Sequence, residues 1–426
     1  MVSLALLGGL AVFLILTVPV GISIGLGTLA AILAGGRLSL NFLPQQMVIG
    51  VDSFPMMAIP LFIIAGELMM AGGVSRRILN VARIFFGRIT GGMAIVAVVS
   101  CLFFSAVSGS GPATVAAIGS MMIPVMLEKG YSKSFTLGLL ACAGILGVVI
   151  PPSIPMVLFG VSTGTSISGV FMAGFIPGVL LALVLSVYCY FYSKKIGVMG
   201  DTEPFSIKKA AIAIWDAKWA LINPIIILGG IYGGFFTPTE AGCIAAVYAI
   251  FCGVVMHREM NLKKLLNAIS NSCVTIGAAM VILGTATAFG RIVTFERIPI
   301  MLANNIMGVT TNYILILLLI NLVVLLIGTF MDPSPAMLIL APILLPVAVS
   351  VGVDPIHFGM IMVINLATGF ITPPVGVNLN VASRIGNAKL EVVLKGAVPF
   401  IIIMIIFLMF ITFVPQISLF LPRLLL

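Results

Sequence analysis

Residues 147–155 read GVVIPPSIP and residues 369–380 read GFITPPVGVNLN. Each sets a double proline, Pro151-Pro152 or Pro373-Pro374, inside an apolar run. Proline lacks a backbone N–H and its ring clashes with the turn before it, so a helix breaks there. The break frees carbonyls, here those near Gly147, Ile150, Gly369 and Thr372. The two breaks belong to a repeat. Residues 124–177 lie on residues 346–399 at a constant offset of 222 with no gap. Pro124, Gly130, Gly147, Gly164, Gly174 and Pro177 fall on Pro346, Gly352, Gly369, Gly386, Gly396 and Pro399. Glycine matches arise by chance in a glycine-rich chain; a double proline matched in both copies is poorly explained that way.

The 426 residues are 61% hydrophobic and 8% charged, against roughly 25% charged in a soluble domain. Mean hydropathy is +1.29. These values describe an all-α polytopic membrane protein and exclude a globule with one anchor. The first apolar stretch lacks a basic leader, so it does not read as a cleaved signal peptide. The six cysteines have no paired spacing and are expected as buried free thiols. Interrupted apolar segments at matching places in two halves mark a secondary transporter and point to its binding site.

Apolar runs place spans near residues 3–20, 21–36 and 54–72, a hairpin at 93–127, a broken span at 134–168 and a span at 170–192. The second half gives spans near 219–235, 240–256 and 265–290, a hairpin at 306–351, a broken span at 356–381 and a span at 396–419. The expected organisation is a first repeat over 1–195, a cytoplasmic connector over 196–218 and a second repeat over 219–426. Arms of 16 residues or so in the first hairpin reach only about 24 Å as helix, short of a hydrocarbon core about 30 Å thick. That favours re-entrant hairpins. With the N-terminus outside, the inner loops hold 17 of the 21 Lys and Arg residues; only Arg37, Arg291, Arg297 and Arg423 fall elsewhere. The C-terminus then also lies outside, the two hairpins enter from opposite sides, and the repeat is inverted. The polar connector is either an amphipathic inner-surface segment or a plain loop.

The first hairpin tip reads SAVSGSGPAT, from Ser105 to Thr114, and the second reads GTFMDPSPAM, from Gly328 to Met337. Ser105, Ser108 and Ser110 bring hydroxyls, and Asp332 brings an acid to an apolar run, where ionisable residues are functional by default. Hydroxyls, exposed backbone carbonyls and helix ends suit a cation such as Na⁺ or an anionic ligand. Small residues also serve tight helix packing, and Asp332 can act as a cap. One tip and one break in each repeat imply two related cation sites. Glu240, at the start of a span, reads as structural. A serine enzyme using Ser108 or Ser110 would lack its usual base, since His257 and His357 are the only histidines. A channel would need a ring of charges or a filter-like stretch, and ATP use a phosphate-binding glycine–lysine motif; neither is present.

SGSGPAT, GVVIPPS, GGFFTPTEAG (Gly233 to Gly242) and ITPPVGVNLN, in this order, with GELMMAGGVSRR (Gly66 to Arg77), resemble the large membrane subunit of tripartite ATP-independent periplasmic (TRAP) transporters, the DctM/SiaM type. The likeness spans nearly the whole chain. It implies an elevator-type fold of the ion transporter superfamily in the bacterial inner membrane. It also implies a small four-helix DctQ-type subunit, separate because this chain starts at the first large-subunit span, and a periplasmic DctP-type binding protein. The implied activity is sodium-coupled uptake of an organic acid anion, of the sialic acid or C4-dicarboxylate class, with at least two Na⁺ and no organic cofactor. A stand-alone sodium/dicarboxylate symporter of the same superfamily is the rival. Carried onto this sequence, one sodium site uses Ser105, Ser108, Ser110 and the carbonyls near Gly147 and Ile150. The other uses Gly328, Met331, Asp332 and the carbonyls near Gly369 and Thr372. Ser153, Asn378, Asn380 and Arg291 are the candidates for the substrate, although the asparagines can equally bond between helices and Arg291 can belong to a solvated face.

Overall fold

A computed structural model describes residues 1–36, 38–201, 206–301 and 312–426. Arg37, part of the connector and the first residues of the expected second hairpin lie outside the described residues. Among the described residues the chain is helical and forms no strand. Nine described helices are long and apolar enough to cross a membrane, or ten if the pair Lys133–Val149 and Ile154–Thr163, bent by 40°, is one span.

The helices are α1 (Val2–Ile15), α2 (Val20–Gly35), α3 (Phe42–Val51), α4 (Ala58–Ala71), α5 (Val74–Phe86), α6 (Gly92–Ser108), α7 (Gly111–Glu128), α8 (Lys133–Ala143), α9 (Leu146–Val149), α10 (Ile154–Thr163), α11 (Ile167–Ile196), α12 (Ile207–Tyr232), α13 (Pro238–Phe251) and α14 (Leu262–Phe295). After the undescribed stretch come α15 (Tyr313–Phe330), α16 (Pro333–Ser350), α17 (Pro355–Gly369), α18 (Val377–Ile385), α19 (Leu390–Phe413) and α20 (Pro415–Leu425). The bounds of α16 are those of α7 shifted by 222, the offset of the sequence repeat. Both peptide bonds Pro151-Pro152 and Pro373-Pro374 are cis.

Three helices went unseen in the sequence, one of them α20, which starts afresh at Pro415 inside the expected last span. Short α3 lacks the length of a span. Helix α5 is amphipathic, and its arginines read as loop charges until Arg76 and Arg77 are paired with Glu259, at 2.6 and 2.8 Å, and Arg83 with Asp201 at 3.2 Å. Residues 207–218, expected within the connector, are the first turns of α12. All six cysteines are free as expected, but Cys243 and Cys273 are exposed on the outer faces of α13 and α14 rather than buried.

The core joins the two halves. Helix α8 crosses α19 so closely that a Cβ on Gly138 would stand 2.3 Å from the carbonyl carbon of Gly396. Phe135 stacks on Tyr192 beside this crossing, with ring centroids 3.8 Å apart and 3° between planes. Helix α4 packs against α13 and α14. Around these contacts many leucines, isoleucines and phenylalanines face outward, as a chain with lipid rather than water at its rim requires.

Candidate functional site

The first tip is set by a left-handed glycine. Helix α6 ends as Gly109 turns to φ +59° and its N–H bonds the carbonyl of Ser105. A Cβ there would also lie 2.8 Å from the Pro152 carbonyl oxygen, so tip and break touch. Ser110 caps α7, accepting from the Ala113 N–H, with Pro112 in the first turn where no donor is missed. Below it, the Ser108 hydroxyl meets Thr114 at 3.0 Å, and Thr114 donates to the Ser110 carbonyl at 2.9 Å. Ser105 is fully buried and donates to the Cys101 carbonyl. Gly147 packs on the same tip: a Cβ would fall 2.4 Å from the Ser110 carbonyl oxygen. Ser105, Ser108, Ser110 and Gly147 are thus neighbours, with Ile150 and Ser153 flanking the adjacent break.

The second tip repeats this plan with different residues. The 222 offset carries Ser110 onto Asp332, and Asp332 likewise caps its returning helix, accepting from the Ser334 N–H at 2.9 Å. Gly369 packs on Gly328, where a Cβ would lie 2.2 Å from the Gly328 carbonyl oxygen. The Val375 N–H bonds the Thr329 carbonyl at 3.2 Å, tying the second break to the second hairpin. Thr372 donates to the Thr368 carbonyl at 2.8 Å. The breaks differ in one respect: Pro151, Pro152 and Ser153 are buried, whereas Pro373, Pro374 and Val375 are exposed.

The tips converge on one cavity of about 450 Å³. On one side it is lined by Gly109 to Ala113, by Val148, Ile154 and Pro155 of the first break, and by Asp332 to Ser334 with Phe370. On the other stand Ile59, Ile63 and Glu67, spaced by four on one face of α4, and Thr275, Ala278, Ala279, Ile282 and Leu283 on one face of α14. A smaller cavity of about 70 Å³ joins Glu67 to Ser108 and Ser110.

The substrate candidates divide. Ser153 is buried beside Gly109 and its hydroxyl has no partner among the described residues. Asn378 is fully buried between Gly111 and Gly144; it donates to the Ala141 carbonyl at 3.0 Å while its Oδ1 has no partner there. Neither lines the large cavity. Asn380 turns back on its own loop, donating to the Val375 carbonyl at 2.6 Å. Arg291 is exposed and lies eight residues beyond Leu283, the last cavity-lining residue of α14, about 12 Å along the axis; it does not line the cavity. Glu240 closes a capping box with Thr237. Glu67 was not singled out in the sequence; an acid within a span was its signal.

Hydroxyl, carbonyl and single carboxylate oxygens are the donor set of a hard, weakly charged cation. Among the described residues no group of three His, Cys, Asp or Glu side chains could hold a transition metal. The buried, unpartnered Ser153 hydroxyl and Asn378 carbonyl oxygen fit the same class of ion. His257 contacts the Gly72 carbonyl at 3.0 Å and His357 lies 3.3 Å from the Thr412 carbonyl, so neither stands over Ser108 or Ser110 as a base.

The chain is similar to known proteins in fold and in sequence. In fold, the chain is similar to the Alcanivorax borkumensis YdaH transporter, at 16% identity and a TM-score of 0.62 over 88% of this chain and 89% of that one. It is also similar to Neisseria gonorrhoeae MtrF, at 14% identity and 0.58 over 88% and 84%. In sequence it is 49% identical to the isethionate TRAP transporter permease protein DctMQ of Oleidesulfovibrio alaskensis, over 97% of this chain and 65% of that protein's length. It is 40% identical to the C4-dicarboxylate TRAP transporter large permease protein DctM of Pseudomonas aeruginosa, over 94% of each. It is 38% identical to the sialic acid TRAP transporter large permease protein SiaM of Vibrio cholerae, over 95% of each. The model of the tripartite ATP-independent periplasmic transporter DctM component matches residues 7–417. The chain therefore belongs to the DctM family of TRAP transporter large permeases and is a multi-pass membrane transporter subunit, not an enzyme.

Proposed function

We propose that this chain carries out sodium-coupled secondary uptake of an organic anion across the bacterial inner membrane, by an elevator motion. The observation that supports it most is the convergence of both hairpin tips on one cavity against α4 and α14. In this reading the hairpins and broken helices form the moving unit, the repeat is inverted, and α4, α13 and α14 belong to the static frame. Two Na⁺ travel as co-substrates. One is held by Ser105, Ser108 and Ser110 with the carbonyls of Gly147 and Ile150. The other is held by Gly328, Met331 and Asp332 with the carbonyls of Gly369 and Thr372. Their charge offsets Asp332 and the substrate anion, which lowers the cost of carrying that anion through a low-dielectric region. Both termini lie in the periplasm. A DctP-type protein delivers the substrate and a DctQ-type subunit widens the frame; the DctMQ relative, longer than this chain, is consistent with that partner. The substrates for which these relatives are named, isethionate, C4-dicarboxylates and sialic acid, are all organic anions.

The test is uptake into proteoliposomes holding the chain and its small subunit, with an inward sodium gradient and the purified binding protein. Uptake that requires both, and that falls by about tenfold or more in Ser110→Ala and Asp332→Ala, is expected. Uptake that needs no binding protein would favour the stand-alone symporter.

A further inference from the structure

Glu67 is not among the residues assigned above to the sodium sites, although it shares the smaller cavity with Ser108 and Ser110. It stands on α4, half-buried, and lines both the large cavity and the smaller one. Elsewhere Glu259 is paired with Arg76 and Arg77, and Asp201 with Arg83. Glu67 makes no hydrogen bond or ion pair with the described residues. A carboxylate withdrawn from bulk water is costly unless something donates to it, so its place here implies a partner that arrives with the ligand.

The opposite wall has the reverse character. Helix α16 begins at the cavity at Pro333, away from the smaller cavity that Glu67 shares with the first turn of α7, and a helix N-terminus favours negative charge. Asp332 is the one acid at that end, where the sodium ions of the proposed cycle offset it. Between the two ends the lining is apolar, with Ile63, Ile282 and Leu338. The cavity therefore complements a small molecule with an anionic group at one end and a hydrogen-bond donor at the other. A second carboxylate placed at the α4 end would meet Glu67 as a like charge, which disfavours binding.

We propose that Glu67 is a specificity residue that accepts a hydrogen bond from a hydroxyl or ammonium group of the transported anion. The preferred substrate is then a small hydroxylated or aminated monoanion, not an unsubstituted diacid. This rests on the organic-anion reading above. A buried acceptor left unpaired by an analogue that lacks the donor is the strongest form of discrimination available to such a site.

Binding to the purified chain with its small subunit, in sodium buffer, tests this without the binding protein's own selectivity. The shift of the unfolding midpoint with ligand concentration reports affinity even when it is weak. The probes are 2-hydroxyethanesulfonate, 2-aminoethanesulfonate, ethanesulfonate and succinate. The wild type is expected to bind the first two about tenfold more tightly than the last two. In Glu67→Ala the preference for the hydroxyl should collapse to within about twofold. Glu67→Gln, which keeps the side-chain volume, should lose the ammonium preference and gain succinate relative to the wild type. A wild type that binds ethanesulfonate or succinate as well as the hydroxylated probe overturns the assignment, as does a preference that survives both substitutions. If no probe shows sodium-dependent binding, the organic-anion reading falls and this assignment with it.

Discussion

The acid at 332 and the glycines at 147 and 369 show how single residues build this site. Asp332 caps a helix with one oxygen and presents its carboxylate to the cavity, so cap and ligand are compatible roles. Gly369 admits the Gly328 carbonyl where no Cβ fits. Gly369→Ala is expected to cost about 1–3 kcal/mol through overpacking, read as a lower melting temperature, and to weaken sodium binding by displacing the Gly328 carbonyl. An unchanged melting temperature would mean that the two segments do not meet there. Asp332 and Ser110 were legible in the sequence because each precedes a proline or glycine turn inside an apolar run. Glu67 was not: it sits mid-helix without a breaker, and its meaning depends on the hairpin tips closing the cavity that it lines with α14. Arg291 was read from its charge alone, which suits an anion; it lies on α14 one to two turns past the last residue that lines the cavity, Leu283.

At the scale of elements, helices α7 and α16 occupy the same interval at an offset of 222, and each starts at the cavity. The matched Pro124 and Pro346 indicate the paired helices; their matching starts, outside the matched stretch, are seen only in the structure. The amphipathic α5 is not indicated in this way, since its stability comes from packing and from ion pairs to distant segments. Glu259 joins Arg76 and Arg77 of α5 to the turn before α14. Burial works against its ionisation, but the Arg77 hydrogen bond and the two arginine charges prevail and hold its carboxyl below the ordinary value. The neighbouring His257 is also held low, first by burial and then by the Arg77 charge. For both, the unfolded chain takes up a proton at a higher pH than the folded one. Their contribution is present above the ordinary values, about 4.3 for Glu and 6.5 for His, and is lost as pH falls through the folded ones. The melting temperature should therefore drop between pH 7 and pH 5, and His257→Gln should reduce that drop. A melting temperature that rises on acidification would contradict this. A second expectation concerns the tips. A flexible bifunctional thiol crosslinker joining Ala113→Cys to Ala279→Cys, on a background without the native cysteines, should arrest uptake while leaving the protein folded. These two positions line facing walls of the cavity, so transport that continues after complete crosslinking would rule out relative movement of those walls.

For the whole molecule, the proposed orientation puts both termini on one face and the arginine- and lysine-rich turns on the other. Single cysteines at Ser3 and Arg423 should react with an impermeant thiol reagent from the periplasmic side, and one at Lys194 only after the membrane is opened. The close passage of α8 across α19 binds elements from opposite halves into one body, which is what lets two tips from distant sequence share a cavity. Sequence repetition indicated that there are two tips; only three-dimensional packing shows them meeting against α4 and α14. If that shared cavity couples cation and anion, linkage requires each ligand to tighten the other by the same factor. The decisive measurement is the affinity of the purified chain for 2-hydroxyethanesulfonate across sodium concentrations, paired with its sodium affinity across concentrations of that anion. Equal tightening in both directions, of about fivefold or more and abolished by Asp332→Asn, is the predicted result. Anion binding that is indifferent to sodium in the wild type would contradict a coupled site at the hairpin tips.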